Sequence, residues 1–399
     1  MSRPRLEVAD ILRAHGEEYR RRHPASAAQL TVMRHIEQCR TAALGGHIDA
    51  CTDCGKVLGN SYNSCRDRHC PKCQGLKKAQ WLEERLAHLL PIPYWHVTFT
   101  IPDALNPVAL RNKQVVFDIF FAAASETLQE IAQDPKHLGA EVGFTAVLHT
   151  WGQNLLFHPH IHCVVTGGGL DTNATHWVAT SPKFFLPVRV LGSRFRRKFL
   201  DALELARQDD KVDLSGSTEH LAQPPAWRDF LRPLRRVNWV VDARAPFAGP
   251  EQVYRYLSHY TQRIAISNHR LVAMDGRQIS FTAKNYRKEG KRITLSLDAV
   301  EFIRRFLLHV LPKKFVRIRH YGLLAGRNIF TKLTHARTLI PSATVQAATP
   351  RATKTISKWW ERLLALTGID VFKCPFCKTG RVVRRPLPPA AHAVAARSP

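Results

Sequence analysis

Residues 157–167 read FHPHIHCVVTG, and histidine recurs at every second position in the first half of this stretch. In an extended chain, alternate side chains point to opposite faces of the sheet. His160 and His162 therefore share one face, while Ile161 and Cys163 share the other. The stretch predicts a buried strand that brings two imidazoles to one point on a sheet.

A second apolar run, residues 142–151 (VGFTAVLHTW), precedes this strand and contains His149. The intervening residues 152–156 are few enough for a hairpin loop, and such a hairpin would set His149 beside His160. Imidazole is the commonest metal ligand in proteins, so His160, His162 and His149 are predicted to hold a divalent ion with open coordination positions. The competing interpretation is that these histidines are satisfied polar groups at a sheet edge. Weaker candidates for the third ligand are Gln153, His158 and His96.

The composition indicates a polyanionic partner. The chain has 399 residues, with 59 Lys and Arg against 32 Asp and Glu, which gives a formal net charge of +27. This excess is typical of proteins that cover the phosphates of nucleic acid. No run approaches the roughly 20 apolar residues of a membrane span, and the first residues lack the apolar region of a signal peptide. We therefore expect a soluble, nucleoid-associated protein of the bacterial cytoplasm with no membrane partner.

The cysteines indicate thiolate metal sites in a reducing compartment, because all nine except Cys163 fall into two groups. Cys51-x2-Cys54 and Cys70-x2-Cys73, separated by fifteen residues, have the spacing of the two knuckles of a zinc ribbon. Zinc in so small a module is expected to be structural. The sequence allows one or two Zn²⁺ and leaves the ligand partition open, because four further candidates lie within or beside this segment: Cys39, His47, Cys65 and His69.

A lone Cys-x2-Cys knuckle, Cys374 and Cys377, stands near the C-terminus. Two thiolates do not fill a zinc site. This knuckle would need His392, another chain or ligands that the sequence does not identify.

The order of these patterns predicts three parts. Residues 1–90 are predicted to form a helical preface and a small zinc-ribbon-like domain. Residues 91–335 are predicted to form an α+β catalytic domain, an antiparallel sheet flanked by helices, with residues 210–226 as a linker or insertion because they are rich in Asp, Ser, Gly and Pro. Residues 336–399 are predicted to be a linker, a short helix, the lone knuckle and a disordered basic tail.

Residues 249–271 predict a helix that carries paired tyrosines. Tyr256 and Tyr260 lie four residues apart and would share a helix face. Two phenols presented side by side to one metal could each hold a DNA end. The alternative is an ordinary core-facing stripe, since Leu257 and Ile264 continue the same apolar pattern.

His160-Ile161-His162, followed far downstream by Tyr256-x3-Tyr260 and preceded by a cysteine cluster, resembles the HUH single-strand endonucleases. Within them, the chain resembles the two-tyrosine, rolling-circle transposases of the insertion-sequence-91 family. The resemblance covers about residues 30–340, and its blocks occur in the family's order: GGHIDACTDC, NSCRDRHCPKCQ, HVTFTIP, HPHIHCVVTGGG and YLSHYTQRIAISNHRL.

The resemblance implies an HUH-type antiparallel sheet and a metal-dependent endonuclease and strand transferase. Mg²⁺ or Mn²⁺ at the histidine site would polarise a scissile phosphate, and Tyr256 or Tyr260 would attack it to give a 5′-phosphotyrosine and a free 3′-hydroxyl. The expected function is nicking and joining of single-stranded DNA that drives rolling-circle transposition of an insertion sequence. The expected partners are single-stranded transposon ends, target DNA and a host helicase.

Other functions explain parts of the sequence. A non-catalytic zinc-ribbon DNA-binding protein accounts for the charge and the cysteines but leaves the histidine pair unused. A metal hydrolase of the His-x-His-x-Asp type needs a carboxylate where Cys163 and Val164 stand. A three-carboxylate transposase needs acidic residues at a recognisable spacing, and none stands out in the sequence.

Overall fold

The computed structural model describes residues 6–73, 75–181, 185–244, 252, 264–285, 290–341 and 358–390. The helices of the described part are α1 Val8–Arg22, α2 Ala27–Gln38, α3 Gly75–Ala87, α4 Asn106–Arg111, α5 Lys113–Gln133, α6 Val188–Gln208, α7 Pro224–Arg236, α8 Ala299–Leu308, α9 Lys332–Leu339 and α10 Trp359–Thr367. The strands are β1 Gly46–Cys51, β2 Val57–Tyr62, β3 Tyr94–Thr100, β4 Ala140–Trp151, β5 Phe157–Asp171, β6 Trp177–Ala179, β7 Val241–Arg244, β8 Leu271–Asp275, β9 Gln278–Asn285, β10 Lys291–Asp298, β11 Ile318–Gly322 and β12 Val382–Leu387.

A six-stranded antiparallel sheet forms the centre of the molecule, with the order β11-β4-β5-β3-β7 and with β6 paired to β5. Alternation along the strands gives it two different faces. One face, which includes Phe99 and Ile161, packs against the phenylalanines of α5 and α6, and the rings of Phe99 and Phe195 lie 5.1 Å apart. The opposite face carries the histidines. The predicted α+β class with an antiparallel sheet and flanking helices is confirmed.

Residues 210–226, predicted to be a linker or insertion, instead pack against the rest of the domain. Gly216–Leu221 form a 3₁₀ turn, and α7 follows directly. Trp227, Leu231 and Leu234 are buried along one face of α7. These residues are therefore folded onto the domain and do not form an extended linker, whereas the alternative of an insertion stays a prediction.

Helices α1 and α2 form a hairpin that packs against the C-terminal half of the chain. Ser26 caps α2, where its hydroxyl accepts from the Gln29 N–H at 3.3 Å and the Gln29 side chain accepts from the Ser26 N–H at 2.9 Å. The Val8 N–H at the start of α1 donates to the buried side-chain oxygen of Asn268 at 3.1 Å. Helices thus occupy the N-terminal residues for which a helical preface was predicted, and they are hydrogen-bonded to a residue of the C-terminal half.

Strands β8, β9 and β10 form a separate three-stranded sheet that leads into α8. Asp298 caps α8 by accepting from the Val300 N–H at 2.9 Å. The rings of Phe281 and Phe302 contact each other 5.9 Å apart and fix α8 on this sheet. Helix α8 thereby lies against α1 and close to the loop between β4 and β5.

A third sheet, with the order β12-β1-β2, joins the two ends of the chain. Its register runs from Gly46 opposite Leu387 to Cys51 opposite Val382. Beyond β12, the Ala390 N–H donates to the Ala42 carbonyl at 2.9 Å. The prediction of a disordered tail is therefore wrong up to residue 390, because these residues pair with a strand far away in the sequence.

Candidate functional site

The β4–β5 hairpin brings His149, His160 and His162 together on the sheet face opposite α5 and α6. His149 is the direct cross-strand partner of His160, as the hairpin prediction required, and His162 lies opposite Val147. The ring centroids are 5.4 Å apart for His149 and His160, 4.6 Å for His149 and His162, and 4.7 Å for His160 and His162. One ring nitrogen of each histidine lies within 4.8 Å of the others, so all three can reach one ion.

Neighbouring groups orient two of these rings. The Nδ1 of His160 donates to the His158 carbonyl at 2.7 Å, which leaves a lone pair on Nε2. The Nδ1 of His162 lies 2.9 Å from the Nε2 of His96 and 3.2 Å from the hydroxyl of Thr98. Such contacts fix the tautomer and orientation of metal-binding imidazoles.

Burial keeps the three histidines neutral. It lowers the pKa of His149 and of His162 well below the ordinary value, and the neighbouring imidazoles lower them further. Burial also lowers the pKa of His160 to about 4. Because metal ions bind the neutral imidazole, the cluster needs no deprotonation step near pH 7.

The loop between β4 and β5 is held by side chains from the C-terminal half of the chain. Arg270 donates to the Gln153 carbonyl at 2.5 Å, and Arg305 donates to the Asn154 carbonyl at 3.1 Å. The Nε2 of His309, whose pKa burial lowers to about 3, donates to the Leu155 carbonyl at 3.1 Å. Consecutive carbonyls are thus anchored at the point where the chain reverses, which fixes the register of the histidine strands.

The weaker candidates His158 and His96 are not members of the three-histidine cluster. His158 is partly exposed, and its Nδ1 lies 3.4 Å from the Asp103 carboxylate. His96 contacts His162 and so supports a candidate ligand instead of replacing one. Gln153 contributes its backbone carbonyl to the Arg270 anchor.

The predicted nucleophiles Tyr256 and Tyr260 lie outside the described residues. Their role therefore remains a prediction from the sequence.

The cysteines gather in two four-residue clusters, and this partition differs from the predicted ribbon. Cys70 and Cys73 lie with Cys39 and Cys65, where the Sγ of Cys73 is 3.2 Å from that of Cys39 and 3.5 Å from that of Cys65. Cys51 and Cys54 instead lie with Cys374 and Cys377. The predicted pairing of the Cys51 knuckle with the Cys70 knuckle is therefore wrong.

The histidines considered as zinc ligands are not part of either cluster among the described residues. His69 is buried, with its Nδ1 2.8 Å from the Asp67 carboxylate, while its Nε2 accepts from the Leu311 N–H at 3.2 Å. Both ring nitrogens are engaged. The Nε2 of His47 lies 3.6 Å from the Asp49 carboxylate. Sequence reasoning did not identify Cys51 and Cys54 as the partners of the C-terminal knuckle. The available signal was that both segments have the same Cys-x2-Cys spacing.

Comparison with known proteins identifies the family. A family model described as "Putative transposase" matches residues 143–330, and one described as "Transposase zinc-binding domain" matches residues 11–101. A protein named "Putative transposase y4qJ" from Sinorhizobium fredii is 50% identical over 384 residues, which is 96% of each chain. The chain belongs to the insertion-sequence-91 family of transposases.

A more distant relative supports the same assignment. The transposase for insertion sequence element IS801 of Pseudomonas savastanoi pv. phaseolicola is 27% identical over 319 residues, which cover 79% of this transposase and 73% of the relative. No solved structure matches the chain.

The family assignment accounts for the two kinds of site. The histidine cluster falls within the "Putative transposase" match, and the Cys39 cluster falls within the zinc-binding match, so zinc is the metal of the N-terminal domain. A transposase acts on DNA, as the net charge of +27 indicates. None of the helices in the described part of this transposase combines the length and the apolar character that a membrane crossing requires.

Proposed function

We propose that this transposase nicks and rejoins single-stranded DNA through a 5′-phosphotyrosine intermediate and so moves its insertion sequence by a rolling-circle route. The observation that supports this function best is the cluster of His149, His160 and His162. One buried and two half-buried imidazoles, all neutral, converge on one sheet face with nitrogens close enough to share an ion, and this arrangement supports a metal site.

His149, His160 and His162 would hold Mn²⁺ or Mg²⁺. The residues fit a divalent ion, because all three are neutral and their nitrogens lie within 4.8 Å of one another. Mg²⁺ prefers oxygen ligands, and three imidazoles supply none, so Mn²⁺ is the better fit of these two ions. When bound, the ion would supply Lewis-acid polarisation of the scissile phosphate.

Tyr256 or Tyr260 is the proposed nucleophile. Its phenol oxygen would form a bond to phosphorus as the bond to the 3′ oxygen breaks, and that oxygen would leave as a hydroxyl after taking up a proton. A phenol has an ordinary pKa of about 10, so the attacking group must lose its proton within the site. The covalent link conserves the phosphodiester energy, and a second tyrosine would let the enzyme hold two DNA ends.

Zinc at Cys39, Cys65, Cys70 and Cys73 is proposed to be structural. Four thiolates close the coordination sphere and leave no open position for a substrate. The domain it stabilises is fixed to the catalytic part, where Arg68 donates to the Phe315 carbonyl at 2.6 Å. We propose that both parts contact DNA, namely the single-stranded transposon ends and the target. A host helicase would expose the single strand. The reaction would take place at the nucleoid in the bacterial cytoplasm.

A covalent-adduct assay tests the function. The full-length transposase is incubated with 5′- and 3′-labelled single-stranded DNA and Mn²⁺, and denaturing gels detect labelled protein. We expect an adduct that carries the DNA 3′ of the nick. His160→Ala should abolish it, and the Tyr256→Phe/Tyr260→Phe double variant should also abolish it.

Matched controls separate chemistry from folding. His158→Ala removes a partly exposed histidine of the same strand, and Tyr254→Phe removes a phenol from the same segment as the proposed nucleophiles. Both should retain the adduct. An undiminished adduct in the double tyrosine variant would overturn the proposed mechanism, and DNA binding without any adduct in the wild type would favour a non-catalytic zinc-ribbon protein.

A further inference from the structure

We infer that the two ends of the chain together form a second zinc site, in which Cys51 and Cys54 supply one half and Cys374 and Cys377 supply the other. The match to the zinc-binding domain ends at residue 101, so half of this site lies outside the segment that the family assigns to zinc. The inference does not depend on the proposed nuclease mechanism.

The sulfur positions fit a tetrahedral ion. The Sγ of Cys51 lies 3.6 Å from that of Cys377, and the Sγ of Cys54 lies 3.9 Å from that of Cys374. A tetrahedral zinc with Zn–S bonds of about 2.3 Å separates its sulfurs by about 3.8 Å. A disulfide would require about 2.05 Å, so these thiols are spaced for a shared ion and not for oxidation.

The two knuckles have the same local structure although their sequences differ. Each Cys-x2-Cys is followed by a residue with left-handed backbone, Gly55 with φ +68° and Lys378 with φ +61°. The first cysteine of each knuckle also donates its N–H to a carbonyl beyond that turn: Cys51 to Lys56 at 3.0 Å and Cys374 to Gly380 at 2.9 Å. This repetition is characteristic of a zinc ribbon, whose halves grip one ion from opposite sides.

Backbone N–H groups point at the sulfurs. The N–H of Cys54 donates to the Sγ of Cys51 at 3.5 Å, and the N–H of Gly380 donates to the Sγ of Cys377 at 3.3 Å. Hydrogen bonds to a charged group favour its charged form, so these donors stabilise the thiolates that zinc requires.

Gly380 lets the second knuckle reach the first. A Cβ at this position would lie 2.4 Å from the Sγ of Cys51 and 2.9 Å from the Cβ of Asp53, closer than such atoms approach. The neighbouring backbones are already joined, because the Thr52 N–H donates to the Arg381 carbonyl at 2.9 Å. The absence of a side chain at Gly380 is thus what allows the four sulfurs to converge.

The surrounding contacts show what the site would hold together. Arg384 of β12 pairs with Asp49 of β1 at 3.0 Å, and Arg362 of α10 pairs with Glu83 of α3 at 2.9 Å in a largely buried bridge. Zinc would therefore fasten residues 358–390 to the N-terminal domain. This site would stabilise a contact between segments that are more than 300 residues apart in the sequence.

Zinc content of the full-length protein tests the inference. Elemental analysis of the wild type should give two zinc ions per chain, and the C374S/C377S variant should retain one. Gly380→Val keeps all four thiols but blocks their approach, so it should also retain one. Cys163→Ala removes a buried cysteine that belongs to neither cluster and should retain two.

Cysteine alkylation of the wild type tests the same site without requiring that any variant folds. Cys54 is exposed and Cys377 is partly exposed, yet zinc would protect both from iodoacetamide until a chelator is added. Peptide mass spectrometry measures each residue separately. Rapid alkylation of Cys54 and Cys377 in the zinc-loaded protein, or two zinc ions retained in folded C374S/C377S, would overturn the second site.

Discussion

The Nδ1 of His162 lies 2.9 Å from the Nε2 of His96 on the neighbouring strand β3. A neighbouring group that contacts a metal-binding imidazole fixes the orientation of the ring. Loss of such a group typically lowers metal affinity 10- to 100-fold. We therefore expect His96→Ala to weaken Mn²⁺ binding by about 10- to 100-fold while the fold is retained. Isothermal titration calorimetry measures the affinity, and circular dichroism monitors the fold.

His176→Ala is the control for this substitution, because His176 is largely exposed and lies outside the cluster. It should bind Mn²⁺ like the wild type. Wild-type affinity in His96→Ala would show that the contact with His162 does not orient a ligand.

Arg305 is expected to stabilise the reversal between the histidine strands. It donates to the Asn154 carbonyl at 3.1 Å and pairs with Glu301 at 2.6 Å, with its side chain 20% exposed. Hydrogen bonds that involve a charged group contribute about 1.5 to 3 kcal/mol, so we expect Arg305→Ala to lower the free energy of unfolding by about that amount. Denaturant unfolding measures this change, and Mn²⁺ affinity should fall with it because the loop is released.

Arg304 offers a matched control. It pairs with the same Glu301 carboxylate at 2.6 Å but is 39% exposed, and both of its hydrogen bonds to described residues go to that carboxylate and not to the loop. We expect Arg304→Ala to cost under about 1 kcal/mol and to leave Mn²⁺ affinity unchanged. Equal effects of the two substitutions would contradict a specific role for Arg305.

The hydrogen bonds from Arg304 and Arg305 to Glu301 also predict that the free energy of unfolding depends on pH. Hydrogen bonds from Arg304 and Arg305 lower the pKa of Glu301 from its ordinary 4.5 to about 2, against the opposing effect of partial burial. A depressed carboxyl pKa contributes stability that is present above pH 4.5 and is lost as the pH falls toward 2. Solvent screening limits this contribution to roughly 1 kcal/mol.

Glu301→Gln should therefore be less stable than the wild type at pH 6, and the difference should shrink between pH 4.5 and pH 2. Urea unfolding of both proteins at each pH gives this difference directly. Zinc is lost from both proteins in acid, so its effect on stability cancels in the difference between them. A difference that does not change with pH would show that Glu301 titrates normally.

The histidine cluster could be predicted from the sequence because its causes are local. Alternation placed His160 and His162 on one face, and the short loop before them fixed the register that sets His149 opposite His160. The supporting contacts could not be predicted. Arg305 reaches the loop from a helix about 150 residues later, and no periodic pattern records such a contact.

The predicted pairing of the Cys51 knuckle with the Cys70 knuckle was wrong for the same physical reason. Cys51-x2-Cys54 has two equally spaced partners, the nearby Cys70 knuckle and the distant Cys374 knuckle, and ligand spacing does not distinguish them. The pairing of strand β1 with strand β12 decides which knuckle lies beside Cys51 and Cys54, and this pairing is a long-range tertiary contact. Proximity along the chain favoured the wrong partner.

His69 provides the sharpest test of the partition, because the sequence allowed it as a zinc ligand and the structure gives it another role. Its ring joins Asp67 to the Leu311 N–H and so links the zinc-binding domain to the catalytic part. We expect His69→Ala to retain wild-type zinc content but to lose about 1 to 3 kcal/mol of stability, since the buried Leu311 N–H would lose its acceptor. Cys70→Ser should instead lower the zinc content, because Cys70 belongs to the first cluster. Loss of one zinc ion from folded His69→Ala would mean that its imidazole, and not only the four thiolates around Cys70, binds metal.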